Sequence, residues 1–290
     1  MEEYNVFDRE IINNELDNKI MNKVFIKVYE SIDSTNNQAK KYIKSSAFNV
    51  ELFNKNKLII FAADSQLAGR GRRGHNWLSS DPASIAVSFL FKPEANVDEI
   101  PQITAAAALA VKDTFNFFDL KTVVKWPNDI LVNNKKICGI LSELVLNKEE
   151  EIFVIVGCGI NLNNDYFNSE IKEIATSYYL QKAKKINKNL FLARLIEKIN
   201  FYFDNYLAEK RDQIINQWKE TLNLTGKKVD LRHNGKKETV LIKAIMDNGD
   251  LLVEFADGRQ KKLQSSNTSL NYQSLDKYND CSWEGEKNEF

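Results

Sequence analysis

The stretch from Lys57 to Phe91 constrains the fold most. It reads "KLIIFAAD", then "SQLAGRGRRG", then "HNWLSSDP", then "ASIAVSFLF". The first and last segments are apolar and extended. In the last, Ile85, Val87, Phe89 and Phe91 alternate as strand residues do. Gly69, Gly71 and Gly74 match G-x-G-x-x-G, which in a dinucleotide-binding fold requires a strand before it and a helix directly after it. The strand is present. The eight residues of "HNWLSSDP" are too few for a crossover helix, which takes about ten to twelve. Glu94 then matches the spacing of a ribose-binding acid by coincidence. The segment is strand, loop, strand, and the loop must hold an anion in some other way.

Three glycines and three arginines fill Gly69 to Gly74. Glycine lets backbone N–H groups come close to a ligand. Arg70, Arg72 and Arg73 present planar forks suited to carboxylate or phosphate. Taken alone, the loop reads equally well as a solvated basic segment.

Around it lie a strand at "VFIKVYE" (Val24 to Glu30) and a helix after "SIDSTNN". A strong alanine-rich helix follows in "DEIPQITAAAALAVKDTFNFF". Three strands with two hairpin turns are read in "TVVKWPNDILVNNKKICGILSELVLNKEEEIFVIVGCGINLN". Two helices span "NKNLFLARLIEKINFYFDNYLAEK" and "RDQIINQWKETL". After Leu224, short strands parted by Asn-Gly and Asp-Gly turns read as a small β-barrel. The expected divisions are a polar extension at 1–22, a main domain at 23–222, the barrel at 223–272 and a flexible tail at 273–290.

Lysine plus arginine total 40 and aspartate plus glutamate total 40, so general nucleic-acid binding is not indicated. No leader-like or membrane-spanning run is evident. Three cysteines without paired spacing fit reduced thiols, and a cytoplasmic location is expected. The two histidines, His75 and His233, have no partner at ligand spacing, so no protein-bound metal site is expected.

Four further segments carry chemistry. "STN" (Ser34 to Asn36) begins a helix and reads either as a plain cap or as a holder for a polar head group. "KWPND" (Lys125 to Asp129) ends a strand with a lysine that either snorkels over Trp126 or faces an anion. "KICGIL" (Lys136 to Leu141) and "GCGINLN" (Gly157 to Asn163) place glycines inside strands, where a ligand or another backbone comes close.

Together, "GRGRRG-x-x-W", "KWPND", "K-[IL]-x-GIL" and "GxGIN", in this order and spacing, closely resemble biotin protein ligase (biotin–[acetyl-CoA-carboxylase] ligase) over roughly Val24 to Leu270. The resemblance implies an α+β domain with a central mixed sheet, related to class II aminoacyl-tRNA synthetases, followed by an SH3-like barrel. It implies formation of biotinyl-5′-AMP from biotin and MgATP, then transfer of biotin to one lysine of a biotin carboxyl carrier domain.

By the same resemblance, Ser34, Thr35 and Asn36 meet the ureido end of biotin, with Gln66 beside it. Gly69, Arg70, Gly71 and Arg72 wrap the carboxylate and phosphate. Lys136 bonds near the acyl phosphate, and Gly139 lets the strand lie against the ligand. Trp77 and Asn161 hold adenine, while Lys125 and Asn128 face phosphates and metal; Arg72 also serves the nucleotide. Arg72, Lys136 and Lys125 are the expected catalytic residues. His75 stands where many members have arginine. No reading helix precedes the main domain, so specific DNA binding is not expected; a homodimer is an allowed form. The alternatives are a lipoate–protein ligase, a biotin-responsive DNA-binding repressor and a noncatalytic nucleotide-binding module.

Overall fold

The computed structural model describes residues 6–48, 53, 58–74, 76–77, 82–93, 100–207 and 210–279. The chain divides into two compact units, Met1–Leu222 and Asn223–Phe290.

The first unit is built on seven strands: β1 (Val24–Ile32), β2 (Leu58–Gln66), β3 (Ser84–Phe91), β4 (Val123–Lys125), β5 (Asp129–Val132), β6 (Lys135–Leu146) and β7 (Ile152–Asn161). Their order across the sheet is β1-β2-β3-β7-β6-β5-β4. β1 and β2 run parallel, with helix α3 (Thr35–Ile43) in the connection, and every other neighbouring pair is antiparallel. The expected mixed sheet is present. The region from Val123 to Asn161 holds four strands rather than three, because the turn at Trp126–Asn128 pairs β4 with β5 as a hairpin of its own. The next reversal uses Asn133 and Asn134, both at positive φ (50° and 61°), the conformation a tight hairpin turn demands.

Neighbouring residues on β6 separate the two faces of the sheet, since side chains alternate along a strand. Ser142 Oγ accepts from Thr104 of helix α4 (Ile100–Phe117), whereas Glu143 accepts from Asn36 of α3. The two helices therefore cover opposite faces. Ala105 to Ala108 of α4 are fully buried; small side chains let the helix lie close to the strands and to helix α6 (Lys188–Leu207), which lies along the chain between α5 (Tyr178–Lys182) and α7 (Arg211–Leu222). Cys138 and Cys158 are buried free thiols that alternate with the glycines beside them on β6 and β7. Burial pushes the Cys158 thiol up to about 12 and raises Cys138 as well, so both are inert packing residues.

Residues 1–22 were expected to be a polar extension. From Val6 onward they instead form α1 (Arg9–Glu15) and α2 (Asn18–Met21), capped by Asp8 and Asp17. Phe7, Ile12 and Leu16 are buried, and α1 packs on α6. A buried lysine joins this segment to the sheet. Lys188 Nζ lies 2.9 Å from Asp64 Oδ1, 2.7 Å from the Pro82 carbonyl and 4.2 Å from the centre of the Phe7 ring. Asp64 also accepts the Phe7 N–H at 2.9 Å. Asp64 and Pro82 flank the glycine–arginine loop, so one ammonium clamps both of its stems.

The second unit is a five-stranded antiparallel sheet of β8 (Lys228–His233), β9 (Lys236–Ile245), β10 (Leu251–Phe255), β11 (Gln260–Leu263) and β12 (Thr268–Asn271), in the order β11-β10-β9-β8-β12. Gly235, Gly249 and Gly258 supply the positive φ of its turns. Lys261 on β11 comes within 3.4 Å of His233 Nε2 at the end of β8, three places away in the sheet, so the sheet curls strongly around Val229, Ile242, Leu251 and Val253. Residues 273–279, expected within a flexible tail, form helix α8 (Gln273–Asn279) on β8. The Asp230 N–H donates to Ser274 Oγ and the Tyr278 hydroxyl to Asp230 Oδ1. Residues 280–290, including Cys281, lie outside the described residues. No helix among the described residues is long and apolar enough to cross a membrane.

Removing one partner of a buried ion pair leaves the other charge uncompensated and costs about 3–5 kcal/mol. Lys188→Met is expected to lose stability on that scale in urea unfolding. A loss under about 1 kcal/mol would show that Asp64 does not depend on the clamp.

Candidate active site

The site lies on the α3 face of the first sheet, and its polar end starts with a helix cap. Ser34 occupies the cap position of α3, yet its side chain makes no capping bond. Asp33 does the local bonding instead. Partial burial works to raise the pKa of its carboxyl, but bonds from the Ser34 backbone, Lys41, Asn37 and Gln38 outweigh burial and hold it at about 2. Ser34, Thr35 and Asn36 are left buried against the sheet, and the plain-cap reading of "STN" falls away.

There they meet Gln66 at the end of β2 and Ser88 in the middle of β3. Gln66 Oε1 accepts the Thr35 backbone N–H at 2.8 Å and faces the Thr35 hydroxyl at 3.1 Å. Ser88 Oγ is 2.7 Å from Thr35 Oγ1 and 2.5 Å from Asn36 Oδ1. The Asn36 amide nitrogen donates to Glu143 at 2.8 Å, and Glu143 also holds Lys40 at 2.7 Å.

The floor beside this cluster is nearly bare backbone. Across β3, β7 and β6 the register aligns Ala86 with Gly159 and Gly159 with Gly139; one step along, Ser88 aligns with Gly157 and Gly157 with Leu141. A methyl on Gly157 would collide with the Asn36 amide, and one on Gly159 with the Trp77 indole. At Gly139 it would come within 2.9 Å of the Lys136 ammonium and 3.2 Å of the indole. The Trp77 indole thus lies on the two paired glycines, with its N–H buried and unpartnered.

The glycine–arginine loop closes at its neck. The Trp77 backbone N–H donates to the Gly69 carbonyl at 2.9 Å, and a side chain on Gly69 would strike the Trp77 carbonyl. Arg70 bridges to Asn76, and a short turn over Arg72–Gly74 follows, with Arg73 at φ 56°. Arg72 Nη1 donates to Asn128 Oδ1 at 3.1 Å. Burial, and then the charge of Arg73, pull the Arg72 pKa below the usual guanidinium range, with Asp129 acting the other way. Even so depressed, a guanidinium remains a cation at neutral pH.

Next to Asn128, Asp129 binds Lys136 Nζ at 2.5 Å, and that ammonium lies 5.5 Å from the centre of the Trp77 ring. Two adjacent residues of one turn therefore each hold one cation. Lys125 is half-buried opposite Asp129 in the hairpin. Asn161 donates to the Thr176 carbonyl at 3.0 Å and lies 3.5 Å from the Lys136 carbonyl, which ties the segment around Thr176 to the start of β6.

The sequence-predicted residues thus form two groups on one face. Thr35, Asn36 and Gln66 make a neutral polar end, with Ser34 buried at its edge. Arg72, Asn128, Lys136, Gly139 and Trp77 make a cationic end. Arg70 and Arg73 are exposed, Gly71 is half-buried in the loop, and His75 lies outside the described residues. Sequence reasoning missed Ser88, Glu143 and Asp129; it read Gly157 and Gly159 as places of close approach without naming the Asn36 amide and the Trp77 indole that approach them. The signals were a serine amid the apolar residues of "SIAVSFLF" and a carboxylate within "GILSELVL". No group of three or more His, Cys, Asp or Glu among the described residues is placed to hold a metal ion. At the cationic end the side-chain oxygens of Asn128 and Asp129 hold Arg72 and Lys136.

Residues 28–161 match the model of the biotin/lipoate A/B protein ligase family. The chain is 33% identical over 216 residues to the bifunctional ligase/repressor BirA of Bacillus spizizenii, an alignment covering 73% of this chain and 66% of that protein, just under two thirds of its length. It is 30% identical over 146 residues to the biotin–[acetyl-CoA-carboxylase] ligase of Mycobacterium tuberculosis, covering 49% of this chain and 52% of the relative. Among solved structures it resembles a biotin protein ligase from Aquifex aeolicus in complex with biotin and ATP. The TM-score is 0.70 and the identity 25%, with 85% of this chain and 98% of that chain covered. The matched residues contain both the neutral and the cationic end of the site, from Thr35 to Asn161.

Two measurements probe this geometry. Gly159→Ala is expected to push the Trp77 indole off the floor at a cost of roughly 1–3 kcal/mol, the usual range for overpacking. Acrylamide should then quench tryptophan emission more strongly than in the parent, and unchanged quenching would place the indole elsewhere. Asp33 titrates lower in the folded chain than its ordinary value of 3.8. Its stabilising contribution is therefore complete above about pH 4 and is lost as pH falls towards 2. Asp33→Asn should flatten the stability curve across that window; equal slopes would remove Asp33 from the account of α3.

Proposed function

We propose that this protein is a biotin–protein ligase, which activates biotin with MgATP and transfers it to a lysine of a biotin carboxyl carrier domain. One observation carries the reading. The α3 face of the first sheet, the trough of this reading, has a buried, neutral hydrogen-bonding end at Thr35, Asn36, Gln66 and Ser88, side-chain-free backbone at Gly157, Gly159 and Gly139 on which the Asn36 amide and the Trp77 indole rest, and a cationic end at Arg72 and Lys136. Biotinyl-5′-AMP has the same sequence of parts: a polar uncharged head, an apolar chain and an anionic acyl phosphate. The activities for which the relatives above are named agree with this.

In the first step a biotin carboxylate oxygen attacks the α-phosphorus of ATP, the bond to the β-phosphate breaks, and pyrophosphate leaves. Two anions must approach each other, so charge neutralisation and alignment are the main tasks. Lys136 and Arg72 supply the charge. Asn128 aims the guanidinium, and Asp129 holds the ammonium until an anionic substrate competes for it. Lys125, on the same hairpin, adds charge for the nucleotide, and Trp77 and Asn161 flank the end assigned to adenine. Magnesium enters with the nucleotide as part of the substrate.

In the second step the neutral amine of the carrier lysine attacks the acyl carbon, the bond to the phosphate oxygen breaks, AMP leaves and the amine proton passes to solvent. The glycine-rich loop, with Gly69, Arg70, Gly71 and Arg72, covers the anhydride and keeps water from it. A dithiolane acid has no head group able to donate to Thr35 or Asn36, which favours biotin over lipoate. Balanced charge, 40 basic against 40 acidic residues, favours ligation without DNA binding.

Incubation with biotin, MgATP and a biotin carboxyl carrier domain tests the proposal by mass spectrometry. The expected outcome is one biotinyl group on one carrier lysine, and an unmodified carrier overturns the reading. Lys136→Ala should lower pyrophosphate release about 10²–10³-fold, as loss of one well-placed electrostatic donor does. The thermal midpoint should stay near that of the parent. Near-normal release would take Lys136 out of the reaction.

A further inference from the structure

Glu143 is a carboxylate on β6 whose neighbours on the same face of the strand, Leu141 and Val145, are apolar. One oxygen accepts from Lys40 at 2.7 Å and the other from the Asn36 amide at 2.8 Å; Asn36 Nδ2 also lies 3.5 Å from the Leu141 carbonyl. Nothing in the ligase chemistry above requires a negative charge at the neutral end of the trough. We infer that Glu143, braced by Lys40, is a positioning residue that sets the direction of hydrogen bonding through Asn36, Ser88 and Thr35, and so makes this end of the trough selective for a head group that donates N–H. The inference rests on the ligase reading, whose substrate selectivity it explains.

The argument is one of proton counting. An ionised carboxylate only accepts, so Asn36 must present Nδ2 to Glu143 and turn Oδ1 towards Ser88. Ser88 Oγ and Asn36 Oδ1 are 2.5 Å apart, a separation two oxygens tolerate only with a proton between them. Ser88 has one hydroxyl proton, and it is committed to Asn36. The proton in the 2.7 Å contact between Ser88 Oγ and Thr35 Oγ1 is therefore the one on Thr35. The other neighbour of Thr35 Oγ1 is Gln66 Oε1 at 3.1 Å, which is fixed as an acceptor by the Thr35 backbone N–H and has no proton to offer. The Thr35 proton thus points into the network at Ser88, and its lone pairs point out. A cyclic urea has N–H groups to offer those lone pairs, and a dithiolane has none. Without the carboxylate, the Asn36 amide is free to flip, Ser88 can donate to Thr35, and Thr35 loses lone-pair capacity for the ligand.

The test is steady-state adenylation by the full chain with biotin and MgATP, followed as pyrophosphate release, with lipoate as the competing acid. Glu143→Ala should raise the biotin KM about tenfold, the size of one hydrogen bond lost. The KM for ATP and kcat should stay within twofold, and the preference for biotin over lipoate should fall. Glu143→Gln keeps a carbonyl acceptor for Asn36 and should return the biotin KM to within about threefold of the parent. Ser88→Ala breaks the relay without disturbing the Lys40 pair and should raise the biotin KM as Glu143→Ala does; it decides the matter if Glu143→Ala does not fold. A biotin KM within twofold of the parent in folded Glu143→Ala, or in Ser88→Ala, overturns the relay. So does a parallel rise in both KM values that the glutamine variant fails to rescue, since that is the mark of a merely structural role. A parent protein that releases no pyrophosphate with biotin overturns the ligase reading itself, a separate result.

Discussion

The pairing of Gly139 with Gly159 across β6 and β7 is the constraint on which the site depends. It removes side chains from two adjacent strands at one point, so that the Trp77 indole rests on bare backbone. Gly157, two residues away on the same face, makes the same allowance for the Asn36 amide. Because side chains alternate along a strand, a slip of one residue would bring Cys138 and Cys158 to this face and send the glycines into the core beneath α4. Those thiols are fully buried where they stand. Register, packing and site geometry are one fact seen three ways.

Around that floor the charges are held ready by neighbours. Asn128 and Asp129 are consecutive, and each fixes one cation, Arg72 or Lys136, within hydrogen-bonding distance. The short β4–β5 hairpin therefore works as a fixture for two side chains that come from distant parts of the chain. The loop bearing Arg72 is secured in turn by the buried ammonium of Lys188, which holds Asp64 before the loop and the Pro82 carbonyl after it. Both stems of the loop are thus anchored in the core.

Much of this was legible in the chain. The alternation in "SIAVSFLF" and the brevity of "HNWLSSDP" predicted strand–loop–strand and excluded a dinucleotide turn. The glycines within "KICGIL" and "GCGIN" announced close approach, and the curled second sheet followed from its Asn-Gly and Asp-Gly turns. The N-terminal helices were harder to read. Phe7, Ile12 and Leu16 sit among polar residues, and only packing against α6 shows that they form a buried stripe. Ser88 and Glu143 escaped notice because a polar residue inside a strand carries no spacing signal. Their roles arise from partners on α3, about fifty and a hundred residues away.

By itself, then, the sequence determined most elements between Val24 and Leu270, their mixed-sheet class, the position of the anion-holding loop and the family likeness, because these rest on local pattern: periodicity, turn chemistry and short motifs. Tertiary structure alone decided which residues meet. It paired Arg72 with Asn128 and Lys136 with Asp129, turned the Asn36 amide towards Glu143, and laid Trp77 on Gly139 and Gly159. The physical reason is that hydrogen bonding and charge neutralisation act over about 3 Å in space, a distance that separation along the chain does not encode.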